Sequence, residues 1–245
     1  MNLTNVILCC NLSEVTRSLL KSLFLFTDPK YLKDIILVDN GSTDDSPSLV
    51  QEFGIQTYVR NNENTGFSHA VNQGIVLAKG DLIAIWNNDT EVNESWLEPL
   101  LENFGDYYMI GADVVEPVTM SIEKYRNTVS SKFEGTRVDF AKGAPWIFKR
   151  EVFEKIGLFD ERFFPAQCED SDFLLRMSLA KMKHGKYTGS VLFHHSGLTQ
   201  ISELKPLYGG FNYAADNRRR FEEKWGTMDI DLEKAFYTGE YRRNI

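Results

Sequence analysis

Cysteine is scarce in this sequence: Cys9, Cys10 and Cys168 are the only three among 245 residues. Two of them are adjacent, which is poor geometry for a disulfide. The scarcity excludes a disulfide-stapled scaffold and reads as a reduced, cytosolic chain. Basic charge is also short. Twenty-seven Lys and Arg stand against 35 Asp and Glu, a net charge of −8, and a dedicated nucleic-acid binder needs a basic face. No apolar stretch is long enough to span a bilayer. The opening MNLTNVILCCNL has no basic start, and its apolar run is too brief for a signal peptide.

The common nucleotide and hydrolase signatures are missing too. There is no Gly-x-x-x-x-Gly-Lys-Ser/Thr loop and no Gly-x-Gly-x-x-Gly after a strand. There is no Cys-x-x-Cys, no His-Glu-x-x-His and no Gly-x-Ser-x-Gly. These absences count against a P-loop NTPase, a nicotinamide dehydrogenase, a zinc enzyme and an α/β-hydrolase.

What remains is a regular alternation. Val6–Cys10, Ile35–Val38, Ile55–Val59 and Leu82–Trp86 are short apolar runs suited to strands covered on both faces. Between them lie helical patterns: Ser13 as a cap followed by Val15, Leu19, Leu20, Leu23 and Phe24, then Ala70, Val71, Gly74, Ile75 and Ala78. This predicts βαβ units and a mostly parallel, Rossmann-like α/β sheet flanked by helices. The second half is less regular. Strands are expected at Met109–Val115, Ala144–Phe148 and Val191–His195, and helices at Arg150–Ile156, Glu169–Met182 and Phe211–Trp225. Residues 119–142 carry little periodicity. No repeat or linker divides the chain, so it reads as one domain, with a nucleotide-binding half (1–90), an acceptor and catalytic half (91–200) and a helical tail (201–245).

In open α/β sheets, ligands bind beyond the carboxyl ends of the strands. Four such ends carry polar groups: Asn11, Asp39, Asn61-Asn62 and Asn87-Asn88-Asp89. Any one alone is more often a turn or cap than a ligand; four on one edge imply a polar crevice.

The ordered motifs resemble an inverting nucleotide-sugar glycosyltransferase of family 2 with the GT-A fold, rhamnosyltransferase-like members included. The matching stretches are VDNGSTDDS (38–46), NTGFSHAVNQG (64–74), GDLIAIWNND (80–89), IGLFDERFF (156–164), EDSDF (169–173) and HHSG (194–197). The tail NRRRFEEKWG (217–226) also resembles C-terminal segments of such enzymes. The resemblance implies an NDP-sugar donor, UDP- or dTDP-linked, and transfer of a hexose or deoxyhexose to a glycan or lipid-linked glycan acceptor in surface polysaccharide synthesis. It implies Asn11, Asp39, Asn64, Gly66, Phe67 and Asn88 near the nucleotide. Asp89 matches the last acid of the family's Asp-x-Asp motif, which holds a magnesium or manganese ion on the diphosphate. Here Asn87 stands where many relatives carry another acid, so weaker metal binding is expected. The resemblance implies His194 or His195 as a further metal ligand; adjacent strand residues face opposite sides, so at most one reaches the site, and the family pattern favours His194.

Asp170 matches the general base. Glu169 and Asp172 are expected to orient or bind the acceptor, and Gly143 and Trp146 to approach the sugars, although a strand Trp is more often core. Arg218-Arg219-Arg220 could attract an anionic acceptor or the inner face of a membrane; a solvated helix face is the plainer reading. Two alternatives stand beside transfer. A sugar nucleotidyltransferase needs a Gly- and Arg/Lys-rich triphosphate loop that LCCNLSEVTR does not supply. A non-catalytic nucleotide- or carbohydrate-binding module fits the degraded metal motif but not the retained Glu169-Asp170.

Overall fold

The structure, a computed structural model, describes residues 1–115, 145–195 and 212–242. Within them, eight strands form one sheet in the order β3-β2-β1-β4-β7-β6-β8-β5. The strands are β1 Leu3–Cys9, β2 Ile35–Asp39, β3 Thr57–Arg60, β4 Leu82–Asn87, β5 Thr90–Glu91, β6 Met109–Val115, β7 Trp146–Lys149 and β8 His184–His194. β3, β2, β1 and β4 pair in parallel, as does β6 with β8. β7 runs antiparallel between β4 and β6, and β5 is antiparallel to β8. Crossover helices dictate the parallel half. α1 Ser13–Phe26 links β1 to β2, α2 Leu49–Glu52 links β2 to β3, and α3 Phe67–Leu77 links β3 to β4. The later helices are α4 Glu98–Glu102, α5 Glu151–Ile156, α6 Glu169–Leu179, α7 Asn212–Trp225 and α8 Leu232–Thr238.

Successive strand side chains point to opposite faces, and both faces here are covered. Val6, Ile36, Val38, Ile83 and Ile85 pack with Ala70, Val71 and Ile75 of α3. Their neighbours Ile7, Leu37, Ala84 and Trp86 pack on the other side with Leu19, Leu20 and Leu23 of α1. Each Val, Leu and Ile among them contributes roughly 1.5–3 kcal/mol on burial. Gly74 is required where α3 crosses the sheet: a Cβ there would lie 2.3 Å from Val6 Cγ1.

Three local expectations are corrected. Ser13 does not cap α1; Leu12 occupies the cap position in a left-handed conformation, and Asp44 accepts from the Ser13 N–H at 2.8 Å. Phe24 leaves the buried stripe, half exposed beside Phe53 with ring centroids 5.6 Å apart. The acidic run 44–45 leads into a short 3-10 turn, Ser46–Ser48, before α2. The ambiguous segment 119–142 lies outside the described residues.

Candidate active site

The strand register collects the polar strand ends on one edge. Cys9 pairs with Asp39 and Asp39 with Arg60, while Leu8 pairs with Asn87. β6 and β8 run in parallel, with Val115 opposite Phe193, and Trp146 at the start of β7 pairs with both Ile85 and Gly111. The carboxyl ends of six strands and the amino end of β7 therefore share this edge.

On its β1–β3 side, loops are tied together by side-chain amides and carboxylates. Asn11, at a φ of 53°, accepts through Oδ1 from Thr43 N at 2.7 Å and Asp44 N at 3.2 Å. Asp39 is fully buried; Ser42 N donates to its Oδ1 at 2.8 Å and the Tyr58 hydroxyl to its Oδ2 at 2.7 Å. Burial first, and the Asp39 carboxylate next, push the Tyr58 phenol up to about 12. Asn64 Oδ1 accepts from Gly66 N at 2.9 Å and Asn40 Nδ2 at 3.0 Å. Gly66 begins α3 at a φ of 84°, and Phe67 N donates to Pro165 O at 2.7 Å, joining this loop to the segment that enters α6. Asn40, which the sequence reading passed over, is the hub: its Oδ1 also accepts from Asn61 Nδ2 and from both the N–H and hydroxyl of Thr65. Its signal was its place directly after Asp39 in VDNGS.

β4 ends in the turn that carries Asp89. Asn88 is turned inward, buried, and donates to Thr16 Oγ1 on α1 at 3.1 Å. Asp89 is buried too, and its Oδ1 lies 3.2 Å from His194 Nε2. His195 has a different partner, with Nε2 3.0 Å from Glu91 Oε1. An Asp oxygen and an imidazole nitrogen this close are donors that a divalent cation accepts. Among the described residues no group of three or more His, Cys, Asp or Glu side chains could hold a metal ion by itself. Asp89 and His194 alone could hold a cation only if a ligand supplied the rest of its shell, as substrate phosphates do at some sites.

Across the chain, α6 begins with three acids in four residues, each in a different setting. Asp170 is half buried; Ser171 N donates to its Oδ1 at 2.6 Å. It lines a narrow crevice with Trp146, Phe148, Phe159, Phe173 and Leu174. Glu169 is buried, and desolvation, then the charge of Asp170, push its carboxyl well above the usual range. Its Oε2 has no hydrogen-bond partner among the described residues. Asp172 was expected at the acceptor. It is instead fully buried, with Arg176 Nε at 2.9 Å, Lys224 Nζ at 2.6 Å and Trp225 Nε1 at 2.8 Å. With three donors on it, it ties α6 to α7 and has no face left for a sugar.

Trp146 likewise sits in the core, buried and stacked on Phe159 at 6.3 Å with 13° between the rings. Gly143 lies outside the described residues. The Arg218–Arg220 run does not form one patch: Arg219 pairs along its own helix with Asp216 at 3.2 Å, while Arg220 donates to Asn217 Oδ1 at 2.6 Å. No helix among the described residues is long and apolar enough to cross a membrane.

Comparison with known proteins agrees with this architecture. The family described as "Glycosyl transferase family 2" matches residues 4–157. A putative polypeptide N-acetylgalactosaminyltransferase 13 of Drosophila melanogaster is 32% identical over 120 residues, covering 42% of this chain and 22% of the relative. The poly-beta-1,6-N-acetyl-D-glucosamine synthase of Staphylococcus aureus is 30% identical over 118 residues, covering 47% and 28%. The chain thus spans less than a third of either relative's length. Among solved structures, S. aureus TarS 1–349 in complex with UDP-GlcNAc superposes with a TM-score of 0.69 at 14% identity, over 96% of this chain and 71% of that one. GalNAc-T7 with UDP, GalNAc and Mn2+ gives 0.67 at 17%, over 97% and 50%. These likenesses establish the GT-A-like fold. They are not specifically rhamnosyltransferases, so that part of the expectation narrows to the family as a whole. By a match that covers well over half of its length, the chain belongs to glycosyl transferase family 2.

Proposed function

We propose that this chain is an inverting, metal-assisted glycosyltransferase that moves a sugar from a UDP-linked donor to a hydroxyl of a glycan acceptor, in the assembly of a surface polysaccharide. The observation that carries the reading is the pairing of Asp89 with His194 at the polar edge of the sheet. It offers a cation two protein donors beside the loops of Asn11, Asp39 and Asn64, where a nucleotide would lie. GalNAc-T7 and TarS, as named, hold UDP or UDP-GlcNAc on the same fold.

Asp89 and His194 would hold the cation, and the cation, when bound, neutralises charge on the departing diphosphate. The remaining work falls to the protein. Asp170 accepts the proton of the acceptor hydroxyl as its oxygen bonds to the anomeric carbon. The bond from that carbon to the diphosphate oxygen breaks, the electron pair leaves with UDP, and the configuration inverts. Ser171 N, at 2.6 Å from Asp170 Oδ1, fixes the direction of the carboxylate. Burial first, and the charge of Asp170 next, push the Glu169 carboxyl well above the usual range, which disfavours a second charge beside the base. No enzyme nucleophile is needed, because one base and one stabilised leaving group suffice.

The test is Asp170→Asn. Release of UDP from a panel of UDP-GlcNAc, UDP-GalNAc, UDP-glucose and UDP-galactose with Mn2+ should fall by a factor on the order of 10²–10⁴. Calorimetric affinity for UDP with Mn2+ should stay within about twofold, since the base is not a donor contact. A variant that keeps most of its rate would overturn the base assignment. A wild-type chain that binds UDP and Mn2+ yet releases nothing from any donor is a binding module.

A further inference from the structure

The motif NRRRFEEKWG has no role in the chemistry above, yet one face of it meets the segment that carries Asp170. The residues concerned are Asn217, Arg220, Phe221, Lys224 and Trp225, at helical spacings of three and four on α7. Asn217 Nδ2 donates to Ala166 O at 2.8 Å, and Arg220 Nη1 to Phe164 O at 3.5 Å. Phe221 is fully buried with its ring 6.2 Å from that of Phe163. Lys224 Nζ bridges Asp160 Oδ2 at 2.8 Å and Asp172 Oδ1 at 2.6 Å. Trp225 Nε1 reaches the same Asp172 oxygen at 2.8 Å. Five side chains of one helix thus hold the stretch from Asp160 to Asp172.

That stretch needs holding. Gln167 and Cys168 are consecutive non-glycine residues at φ of 81° and 73°, a conformation that persists only where the surroundings enforce it. Cys168 is the residue before α6, and Asp172 N makes an early hydrogen bond of that helix, to Cys168 O at 3.0 Å. Asp170 sits between them. With Asn217 fixing Ala166 on one side and Lys224 with Trp225 fixing Asp172 on the other, the position of the base is set from α7. Arg176 completes the anchor: it takes the second oxygen of Asp172 and donates to the carbonyls of Ile156 and Leu158.

We infer that Lys224 and Trp225 are positioning residues for the base, acting through Asp172, and that α7 is part of the catalytic apparatus rather than a tail. The inference rests on the assignment of Asp170 as the base.

The variants are Lys224→Met, Lys224→Arg and Trp225→Phe, the last keeping the ring that packs on Tyr241 at 5.6 Å while removing the donor. With the same donor panel and Mn2+, Lys224→Met should lower kcat about tenfold or more, with KM for the donor and calorimetric UDP affinity within about twofold. Lys224→Arg should recover most of the rate, and Trp225→Phe should lose several-fold. Amide hydrogen exchange of residues 166–172 should quicken at least several-fold in Lys224→Met, while that of 3–9 and 82–87 stays as in the wild type. This arm needs no substrate. Unchanged exchange in 166–172 would overturn the inference, as would kcat and UDP affinity falling together in step with the unfolded fraction. Wild-type kcat in Lys224→Met beside an inactive Asp170→Asn would overturn the positioning role and leave the base standing. An active Asp170→Asn would remove both.

Discussion

His194 Nε2 stands 3.2 Å from Asp89 Oδ1, while the next residue, His195, meets Glu91 at 3.0 Å. The two adjacent histidines thus enter two separate pairs, and only one includes the acid that ends the WNND turn. A carboxylate oxygen suits both magnesium and manganese, but an imidazole nitrogen suits the less oxygen-loving ion, and magnesium sheds its water reluctantly. UDP should therefore bind more tightly with Mn2+ than with Mg2+. Asp89→Ala should weaken Mn2+-dependent UDP binding at least about tenfold. His194→Ala should cost more with Mn2+ than with Mg2+, and His195→Ala less than about twofold with either. Calorimetry with and without EDTA reads all of these; an Asp89→Ala affinity unchanged in both would remove Asp89 from the site.

The parallel half was legible because each of its elements carries one dominant period. Ile35–Val38 and Leu82–Trp86 are apolar on both faces, so no register but a buried one suits them. The tail helix was legible in extent but not in purpose. Its apolar residues said only that one side was buried, whereas Asp172, the partner shared by Lys224 and Trp225, lies more than fifty residues away, on α6. Asp172 shows the same limit. As one of three acids in four residues it reads as part of a site, and nothing local tells that two cations and an indole N–H come from elsewhere to cover it. The inward turn of Asn88 onto Thr16 is likewise a property of how α1 packs on the sheet. Short pieces such as β5 and α4 are below the length at which periodicity separates them from loop.

Glu169 offers a stability test with a definite sign. Its folded-state pKa is raised above the ordinary carboxylate value by burial. A raised pKa contributes stability that is fully present below the unfolded value, near 4.5, and that is lost as pH rises from there toward the folded value. Above the unfolded value the unfolded chain releases a proton that the native state gives up less readily. Glu169→Gln removes that cost while keeping the shape. The variant should melt about 2–4 °C above the wild type at pH 7.5, the equivalent of about 1 kcal/mol for a chain of this size, and the difference should close by pH 4. Scanning calorimetry at the two pH values decides it; a variant less stable at pH 7.5 than at pH 4, relative to wild type, would show Glu169 ionised in the fold.

Gly41 and Gly54 make a matched pair for the VDNGS loop. Both have positive φ, 83° and 63°. A Cβ at Gly41 would lie 2.5 Å from Glu63 C and 2.8 Å from Asn64 N, backbone atoms that cannot swing aside, whereas a Cβ at Gly54 meets nothing within 4 Å. Gly54→Ala should therefore cost only the left-handed backbone penalty, about 1–2 kcal/mol. Gly41→Ala should cost more than that and should also displace Asn64, weakening UDP binding several-fold at a temperature where the fold is intact. Urea titration gives the first comparison and calorimetry the second. Equal costs in the two variants would mean that the Glu63–Asn64 backbone yields freely.

His184 sets the acid side. It is fully buried, with Nε2 2.9 Å from Ser178 Oγ, and burial pulls its pKa down to about 3. A depressed histidine pKa means that the unfolded chain takes up a proton near 6.5 which the native state refuses. Stability is therefore whole above that value and falls as pH drops through the interval toward 3, by up to about 1.4 kcal/mol per pH unit from this one group. His184→Gln keeps a donor toward Ser178 and has nothing to titrate. Its unfolding free energy should start below that of the wild type at pH 7 and should decline more gently between pH 6.5 and 5, so that the gap narrows. Differencing the two proteins cancels the other titrating groups, which both share. Parallel curves over that interval would mean that His184 gains its proton inside the fold, and the Ser178 hydroxyl would then be accepting from an imidazolium.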